Sequence, residues 1–343
     1  MSLVQIVDSI VPDVWSAYES NATTEKSALY QSGVITPNAN MSAKLTMGGK
    51  LFQTPFWKDL GNDEGNIGTD DPEDQAVPKK ITASKHQFIR QVRTQSWSTA
   101  DLTAEMAGSD PAQEIAKKVG AYWGRQIDRT AIATIKGITL DNIANDASDM
   151  VYDITGTAGT VVVGGRTVNA CTMHDLAFID AKQTMGDMSS VLNLVIMHSV
   201  VYTSLVKQNL IAFIPNSQGI HNIPTYLGCR VEVSDMCPAD DQGGGSIFYT
   251  SYLCGPGVIG WAEKALPRPV ASKRDELGGN GMGIDTMVHR KQYALHPGGY
   301  TFTDNSTALE FPTNTELALA TNWDRVLPER KMIPLVVMKT KNG

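Results

Sequence analysis

The chain has 343 residues, which is long enough to bury at least one large core and to form two domains. Its 29 basic and 36 acidic residues give a net charge of −7, which argues against general binding of nucleic acid or of an anionic membrane. The first residues lack the pattern of a secretory signal and no run approaches the roughly 18 apolar residues of a membrane span, so we expect a protein made and folded in a cytosol.

Two segments near the N-terminus are too polar to form a core of their own. Residues 1–45 have a short apolar start that is followed by the polar stretch "ESNATTEKSALYQSG". Residues 46–97 predict a long two-stranded excursion, with strands at Lys50–Trp57 and Ile81–Trp97. More than twenty residues between these strands are rich in Gly, Asn, Asp, Glu and Pro. A loop of this length without an element of its own is typically functional or disordered.

The strongest local pattern predicts a long helix over residues 111–136. Asp110 is a good N-cap with Gln113 as its capping-box partner, Pro111 suits the first helical position, and Gly137 suits the position after the end. The helix would be about 39 Å long at ~1.5 Å per residue. Its apolar stripe steps by four residues through Ile115, Val119, Trp123, Ile127, Ala131 and Ile135.

The other faces of this helix are polar, and two glycines interrupt it. The charged residues on these faces are Lys117, Lys118, Arg125, Asp128 and Arg129. Gly120 and Gly124 each cost about 1 kcal/mol relative to alanine, and they allow another element to approach the helix closely. Taken alone, the pattern is typical of an ordinary long core helix.

Strands and helices are mixed in the rest of the chain. The patterns predict strands within 150–156, 160–170, 191–197, 229–234, 246–254, 283–295 and 332–339. They predict helices within 172–187, capped by Thr172, and within 198–211. The strands at 229–234 and 246–254 flank an Asp/Gly-rich loop and are expected to pair as a hairpin. Because no regular βαβ order is present, the fold class is α+β.

The four cysteines, Cys171, Cys229, Cys237 and Cys254, lack the spacing of a structural zinc site. Free thiols packed as small apolar groups are the favoured interpretation. The alternative is a disulfide between Cys229 and Cys254, which the expected hairpin would place nearly opposite each other.

No motif indicates catalysis, a cofactor or a metal. The pairs His174–Asp175 and His198–Ser199 stand at helix starts, where adjacent side chains point about 100° apart and do not relay protons to each other. The stretch "GGNGMG" (278–283) lacks the strand and helix that flank a dinucleotide loop. The acidic residues of the loop are Asp63, Glu64, Asp70, Asp71, Glu73 and Asp74. Their spacing does not match that of a calcium-binding EF-hand loop, so a solvated or partner-facing acidic loop is favoured.

A set of phrases occurs in order along nearly the whole chain. Each is weak alone, but the ordered set is specific: "ALYQSGVITPN" (28–38), "TPFWKDLGND" (54–63), the long helix with its flanks (97–138), "IMHSVVYTSLVKQNLI" (196–211), "NIPTYLGCRVEVSD" (222–235) and "TNWDRVLPERKMIPLVVMKT" (321–340). In this set the chain resembles the major capsid proteins of tailed bacteriophages of the Hong Kong 97 type, and among them the major capsid protein 13-like lineage.

The resemblance implies a Hong Kong 97-type capsid fold with four parts. These are an N-terminal arm (1–45), an extended two-stranded loop (46–97), a peripheral domain (98–190 and 283–343) with the spine helix at 111–136, and an axial domain (191–282). The acidic tip of the loop and its basic return strand, which contains Lys79, Lys80, Lys85, Arg90 and Arg93, are then expected to bind neighbouring subunits.

The resemblance also implies a structural protein and not an enzyme. Copies would self-assemble as pentamers and hexamers into an icosahedral shell that encloses double-stranded DNA without sequence-specific binding. The protein would be made in the host bacterial cytoplasm and end in the virion, with separate scaffolding, decoration and portal proteins as further partners. Two alternatives stay open: the shell of a bacterial cargo-loading nanocompartment with the same fold, and an enzyme with an unrecognised site.

Overall fold

The structure, a computed structural model, describes residues 29, 32–60, 64–68, 70–71, 73, 75–107, 110–163, 165–215, 222–243 and 246–341. Most of the expected N-terminal arm therefore lies outside the described residues. Helices α1–α7 span Ala39–Leu45, Asp101–Ala107, Pro111–Asn145, Asp175–Gln183, Ser199–Lys207, Gly278–Gly281 and Asn314–Leu317. Short 3₁₀ helices span Gly186–Val191, Ala320–Asn322 and Arg330–Met332.

Nineteen strands accompany these helices in the described part of the chain, which confirms the α+β class. Strands β1–β19 span Ile35–Pro37, Leu51–Trp57, Ala83–Ile89, Gln91–Ala100, Val151–Asp153, Thr160–Val163, Arg166–Asn169, Leu194–Met197, Ala212–Pro215, Asn222–Tyr226, Cys229–Val233, Ala239–Asp241, Ile247–Cys254, Ile259–Lys264, Val270–Asp275, Ile284–Pro297, Tyr300–Phe302, Trp323–Arg325 and Leu335–Lys341.

A five-stranded sheet is built around the long strand β16. The first half of β16 lies between β15 and β4, and its second half pairs with β14, which in turn pairs with β1. The long helix α3 and this sheet share one buried core, which includes Ile127, Ile135, Trp261, Tyr293 and Leu295. Apolar burial on this scale is the main force that fixes the helix against the sheet.

An eight-stranded sheet forms the second large layer. Its strand order is β5-β19-β13-β8-β11-β10-β9, and β12 pairs with β13. Helices α4 and α5 share a buried core with it through Phe178, Ala181, Val201 and Leu205. Residues 191–282, expected to be the axial domain, supply β8–β13 to this sheet but β14 and β15 to the five-stranded one.

The long helix begins as predicted but does not end where predicted. The Asp110 side chain caps it by accepting a hydrogen bond from the Ala112 N–H at 2.9 Å. The helix then continues for 35 residues to Asn145 and passes through Gly137. A Cβ on Gly137 would overlap the Leu317 carbonyl oxygen and lie 2.5 Å from the Trp323 indole nitrogen. This glycine therefore provides space for a close contact within the helix, and the predicted end at residue 136 is wrong.

The apolar stripe of α3 is buried only from Trp123 onwards. Trp123, Ile127, Ala131 and Ile135 are buried, as predicted, but Ile115 and Val119 are half-buried. Asp128, expected on a polar face, is 1% exposed. The N-terminal third of the helix is thus less covered by its own subunit than the remainder.

The hairpin expected from 229–234 and 246–254 does not form. Strand β8 lies between them, because Leu194 of β8 is in register with Arg230 of β11 on one side and with Cys254 of β13 on the other. Two strand spacings of ~4.8 Å exceed the reach of a disulfide, which is about 7 Å between Cα atoms. Cys229 and Cys254 are free and buried, so the disulfide alternative is wrong.

Two other local predictions need correction. The expected strand Ile81–Trp97 is divided at Arg90 into β3, which pairs with β2, and β4, which pairs with β16. The helix expected to be capped by Thr172 begins at Asp175, with His174 in the N-cap position.

The polar segment 1–45 was predicted to form no core of its own, and its described part packs instead against the five-stranded sheet. Strand β1 pairs with β14, and Met41 and Leu45 of α1 pack with Ala262 and Ala294 of the five-stranded sheet.

We predict opposite effects of alanine at two glycines of α3. Gly137→Ala should lower the free energy of unfolding by at least about 1–3 kcal/mol, because the new methyl group overlaps Leu317 and Trp323. Gly120→Ala should raise it by up to ~1 kcal/mol, because no described atom lies within 4 Å of the added carbon. Urea unfolding of the unassembled subunit measures both. Equal effects of the two substitutions would contradict this account.

Candidate assembly surfaces

The extended loop has a stem that its own subunit holds. Strands β2 and β3 pair from Leu51 opposite Ile89 to Trp57 opposite Ala83. At the base, the rings of Phe52 and Phe88 stack with centroids 5.2 Å apart and join the buried cluster formed with α1 and the five-stranded sheet. Burial of two aromatic rings at this point fixes the base of the stem.

Arg90 forms the turn between the stem and strand β4. Its guanidinium donates to the carbonyl oxygens of Leu45, at 3.1 Å, and of Met47, and lies over the Phe52 ring at 5.1 Å. Arg93 likewise donates to the carbonyl oxygen of Pro312 at 2.6 Å. These two basic residues contact their own subunit, so the expectation that the return strand binds neighbouring subunits and not its own is wrong for Arg90 and Arg93.

Polar contacts tie the stem to other elements of the same chain. Lys50 forms an ion pair with Asp304 at 2.7 Å. The Gln87 N–H donates to the Thr301 hydroxyl oxygen at 3.0 Å. The Lys44 ammonium on α1 donates to the Thr54 hydroxyl oxygen at 2.9 Å. The direction of the loop is therefore set within the subunit.

A neutral histidine pair joins strand β3 of the stem to strand β16. The rings of His86 and His296 stack with centroids 5.5 Å apart. Burial lowers the pKa of His86, and the charge of Lys44 adds to this effect. Burial and the neighbouring His86 lower the pKa of His296 to about 3. Both rings are uncharged near neutral pH, which suits their contacts with Phe56 and Phe88.

Beyond the stem, the described residues of the tip are exposed. Trp57, the last residue of β2, and Leu60 are 68% exposed, and in the tip Ile67 is 85% and Val77 77% exposed. The exposed acidic residues described there are Asp59, Glu64, Asp70, Asp71 and Glu73. A large apolar surface that its own chain leaves uncovered typically marks an interaction site. The tip is therefore the first candidate assembly surface.

The pairs His174–Asp175 and His198–Ser199 lie at helix starts, where they form hydrogen bonds with nearby groups. The N–H of His174 Nδ1 donates to the Thr172 carbonyl at 2.8 Å, and His198 Nδ1 accepts from the Val200 N–H at 3.2 Å. The Ser199 N–H donates to Asp235 at 3.2 Å. His198 thus caps helix α5 with this nitrogen, and the Asp235 carboxylate accepts from the Ser199 side chain and lies 3.8 Å from His198 Nε2.

The remaining candidates are the acidic residues of the loop and the stretch 278–283. In the described residues, no three His, Cys, Asp or Glu side chains converge to hold a metal ion; Asp63 and Asp74 lie outside that part of the chain. Residues 278–283 form the turn from β15 to β16, where Gly279, Gly281 and Gly283 have positive φ. Among the helices described, none is long and apolar enough to cross a membrane.

An acidic cluster surrounds the C-terminal end of α3. Asp141 is 1% exposed, and its Oδ1 accepts a hydrogen bond from the Asn145 amide at 2.6 Å. Burial raises the pKa of Asp141 to about 6, the Asn145 hydrogen bond opposes this rise, and the charges of Asp146 and Asp324 add to it. Sequence periodicity missed this site because its members come from α3, its following turn and β18.

The comparisons with known proteins agree with this arrangement. Residues 37–261 match the family model described as major capsid protein 13-like. The chain is 36% identical over 335 residues to the major capsid protein of Bacillus phage SPP1, which covers 97% of both chains.

Solved phage capsids share the fold at low sequence identity. The capsid of Ralstonia phage GP4 matches with a TM-score of 0.61 and 11% identity, over 97% of this chain and 96% of that chain. The capsid asymmetric unit of cyanophage Pam1 matches with a TM-score of 0.57 and 9% identity, over 96% of both chains. The chain has the capsid fold of the Hong Kong 97 type and is a structural shell protein of a phage. It belongs to the major capsid protein 13-like family.

We predict that Asp141 makes the subunit more stable in mild acid. Its folded pKa of about 6 is above the ordinary 3.8, so the stabilising contribution of the bound proton is complete below about pH 4. This contribution is lost as the pH rises through 6, because the buried carboxyl must then ionise. At pH ~7.5, Asp141→Asn should therefore raise the free energy of unfolding by about 1–2 kcal/mol, with no gain below pH ~4.

Urea unfolding of the unassembled subunit between pH 4 and 8 measures this difference, with the exposed substitution Glu105→Gln as control. A gain for Asp141→Asn that is the same at every pH would contradict the assignment.

Proposed function

We propose that copies of this chain assemble as pentamers and hexamers into an icosahedral shell that encloses the double-stranded DNA of a tailed phage. The protein is synthesised in the host bacterial cytoplasm and resides in the virion as a structural component without a catalytic role. One observation carries the proposal: a loop stem anchored in its own core projects a tip whose apolar side chains are exposed. Such a tip gains stability only when another molecule covers it.

The domain assignment follows the two sheets. The five-stranded sheet with α3 is the peripheral domain, and the strands β8–β13 with β5 and β19 form the axial layer. The extended loop begins near Lys50 and ends at Arg90, because β4 belongs to the peripheral sheet. The N-terminal arm is limited to the residues before Leu29, since the side chains of Leu29, Val34, Met41 and Leu45 are buried in the subunit itself.

Separate scaffolding, decoration and portal proteins complete the particle. The alternative, a cargo-loading nanocompartment, predicts shells that contain an enzyme and no genome-length DNA. Particles purified from infected cells and treated with nuclease distinguish the two functions. Protected DNA of uniform length supports the proposal, and shells with a protein cargo and no such DNA contradict it.

We predict that the acidic tip matters for assembly and not for folding. Asp70→Lys combined with Glu73→Lys should leave the thermal unfolding of the subunit unchanged within about 2 °C, because both residues are exposed. Each exposed ion pair contributes only ~0–1 kcal/mol, but a shell repeats the contact at every interface, so the particle yield should fall at least tenfold. Sedimentation of particles at low and moderate salt measures this yield.

The matched control is Glu105→Lys with Glu310→Lys, two exposed acidic residues outside the loop whose reversal changes the net charge equally. A normal yield from the tip variant at both salt concentrations would favour a solvated loop without contacts. An unfolded subunit would place the tip in the core of its own chain.

A further inference from the structure

The stem of the extended loop contacts the five-stranded sheet through two imidazole rings. His86 lies in β3 and His296 near the end of β16, and their rings are nearly parallel, with an interplanar angle of 13°. Phe88 of β3 also packs on His296, which is only 6% exposed. Because two side chains of β3 cover His296, movement of this strand away from the sheet exposes the ring to water.

The surroundings of both rings are largely apolar. The His86 ring contacts Phe56 at 5.7 Å, and the His296 ring contacts Trp323 at 6.4 Å between centroids. Neither ring nitrogen of His296 forms a hydrogen bond of good geometry with a described group. A charged imidazolium without a partner is costly in such a site, whereas a neutral ring packs well against the other rings.

Among the described residues, no acidic side chain acts on the pair to compensate a positive charge. Burial lowers the pKa of His86, and the charge of Lys44 adds to this effect from α1, where its ammonium donates to Thr54, the residue opposite His86 in the stem. Burial and the neighbouring His86 lower the pKa of His296, and the Tyr300 backbone in β17 opposes them only in part. Each ring is therefore a poor site for a proton as long as the stem lies on the sheet.

The base of the stem has an anchor that does not titrate in this range. The Arg90 guanidinium stays charged at and below neutral pH, and it donates to the carbonyl oxygens of Leu45 and Met47. His86 lies between this anchor and the tip. Loss of the histidine contact therefore frees the outer part of the stem while its base stays attached.

We propose that the His86–His296 pair is an acid-sensitive latch. The neutral pair holds the stem on the five-stranded sheet, and protonation releases the stem, so that the loop loses its fixed direction.

The direction of the effect follows from His296. Its pKa is about 3 with the stem in place, below the ordinary 6.5 of an exposed histidine. The stabilising contribution of the neutral ring is therefore complete above pH 6.5 and is lost as the pH falls from 6.5 toward 3. Between pH ~7.5 and pH ~5, His296 alone should raise the equilibrium constant for opening about thirtyfold, and His86 adds to this rise.

Hydrogen–deuterium exchange of the unassembled subunit at pH ~7.5 and pH ~5 measures the opening at the amides of Ala83–Ile89, after correction for the pH dependence of intrinsic exchange. Global unfolding is unsuitable, because Asp141 acts in the opposite sense. The amides of Ile247–Cys254 in the other sheet report any general loosening. We expect the exchange of β3 to rise at least thirtyfold relative to β13 in acid. The absence of such a rise would overturn the latch.

Phenylalanine at both positions keeps a stacked aromatic pair that takes up no proton. His86→Phe combined with His296→Phe should therefore reduce the rise to less than about threefold. His296→Gln removes the same proton without adding volume and should lower the rise at least tenfold, so the test does not depend on the folding of one variant. The matched control is His289→Phe, another half-buried histidine of β16, whose ring contacts Trp97 of β4. It should keep the full rise, and an equal rise in wild type and in the variants of the pair would contradict the assignment.

The consequence for assembly rests on the proposed function. At pH ~5 the double phenylalanine variant should form at least tenfold more particles than wild type, and at pH ~7.5 the two yields should be equal. Equal yields at both pH values would overturn a role of the latch in assembly. Failure of the wild-type chain to form particles at pH ~7.5 would overturn the proposed function, whereas exchange in the free subunit tests the latch independently.

Discussion

The stacked pair Phe52–Phe88 is the contact on which the architecture depends most. It buries the base of the extended loop against α1 and the five-stranded sheet, and the Arg90 guanidinium covers the Phe52 ring. Because this base is fixed, the loop projects in a defined direction while its tip leaves apolar side chains exposed. The base of the loop is therefore stabilised within the subunit, whereas the exposed tip can be stabilised only by contacts in an assembly.

The long helix shows the same division along its length. Its C-terminal part is covered by the subunit, and Gly137 allows Leu317 and Trp323 to approach the backbone. Its N-terminal part is less covered, because Ile115 and Val119 are only half-buried and Gly120 is exposed. Burial within the subunit therefore anchors mainly the C-terminal part of the helix. Exposed apolar surface such as that of the tip is what the assembly of identical copies can cover.

Features that depend on neighbouring residues in the sequence could be predicted, whereas contacts between remote residues could not. The Asp110 cap, the position of Pro111 and the stripe from Trp123 to Ile135 depend on neighbouring residues, so they were predicted. The end of α3 was predicted wrongly because Gly137 makes room for the side chain of Trp323, which is remote in sequence. The hairpin of β11 with β13 failed because β8 inserts between them in a mixed sheet, and alternation alone does not specify strand order. The break at Arg90 between β3 and β4 was not predicted, because the Arg90 side chain contacts Leu45, and the alternation of apolar and polar residues does not indicate such a contact.

Hydrogen–deuterium exchange of the free subunit and of the assembled particle tests the central claim most directly. The account predicts that the backbone of the stem, Leu51–Trp57 and Ala83–Ile89, exchanges slowly in both states, because Phe52 and Phe88 anchor it within the subunit. The exposed tip residues 64–68 and 75–80 should exchange rapidly in the free subunit and at least tenfold more slowly in the particle. Equally rapid exchange of the tip in both states would contradict the claim that neighbouring copies cover it.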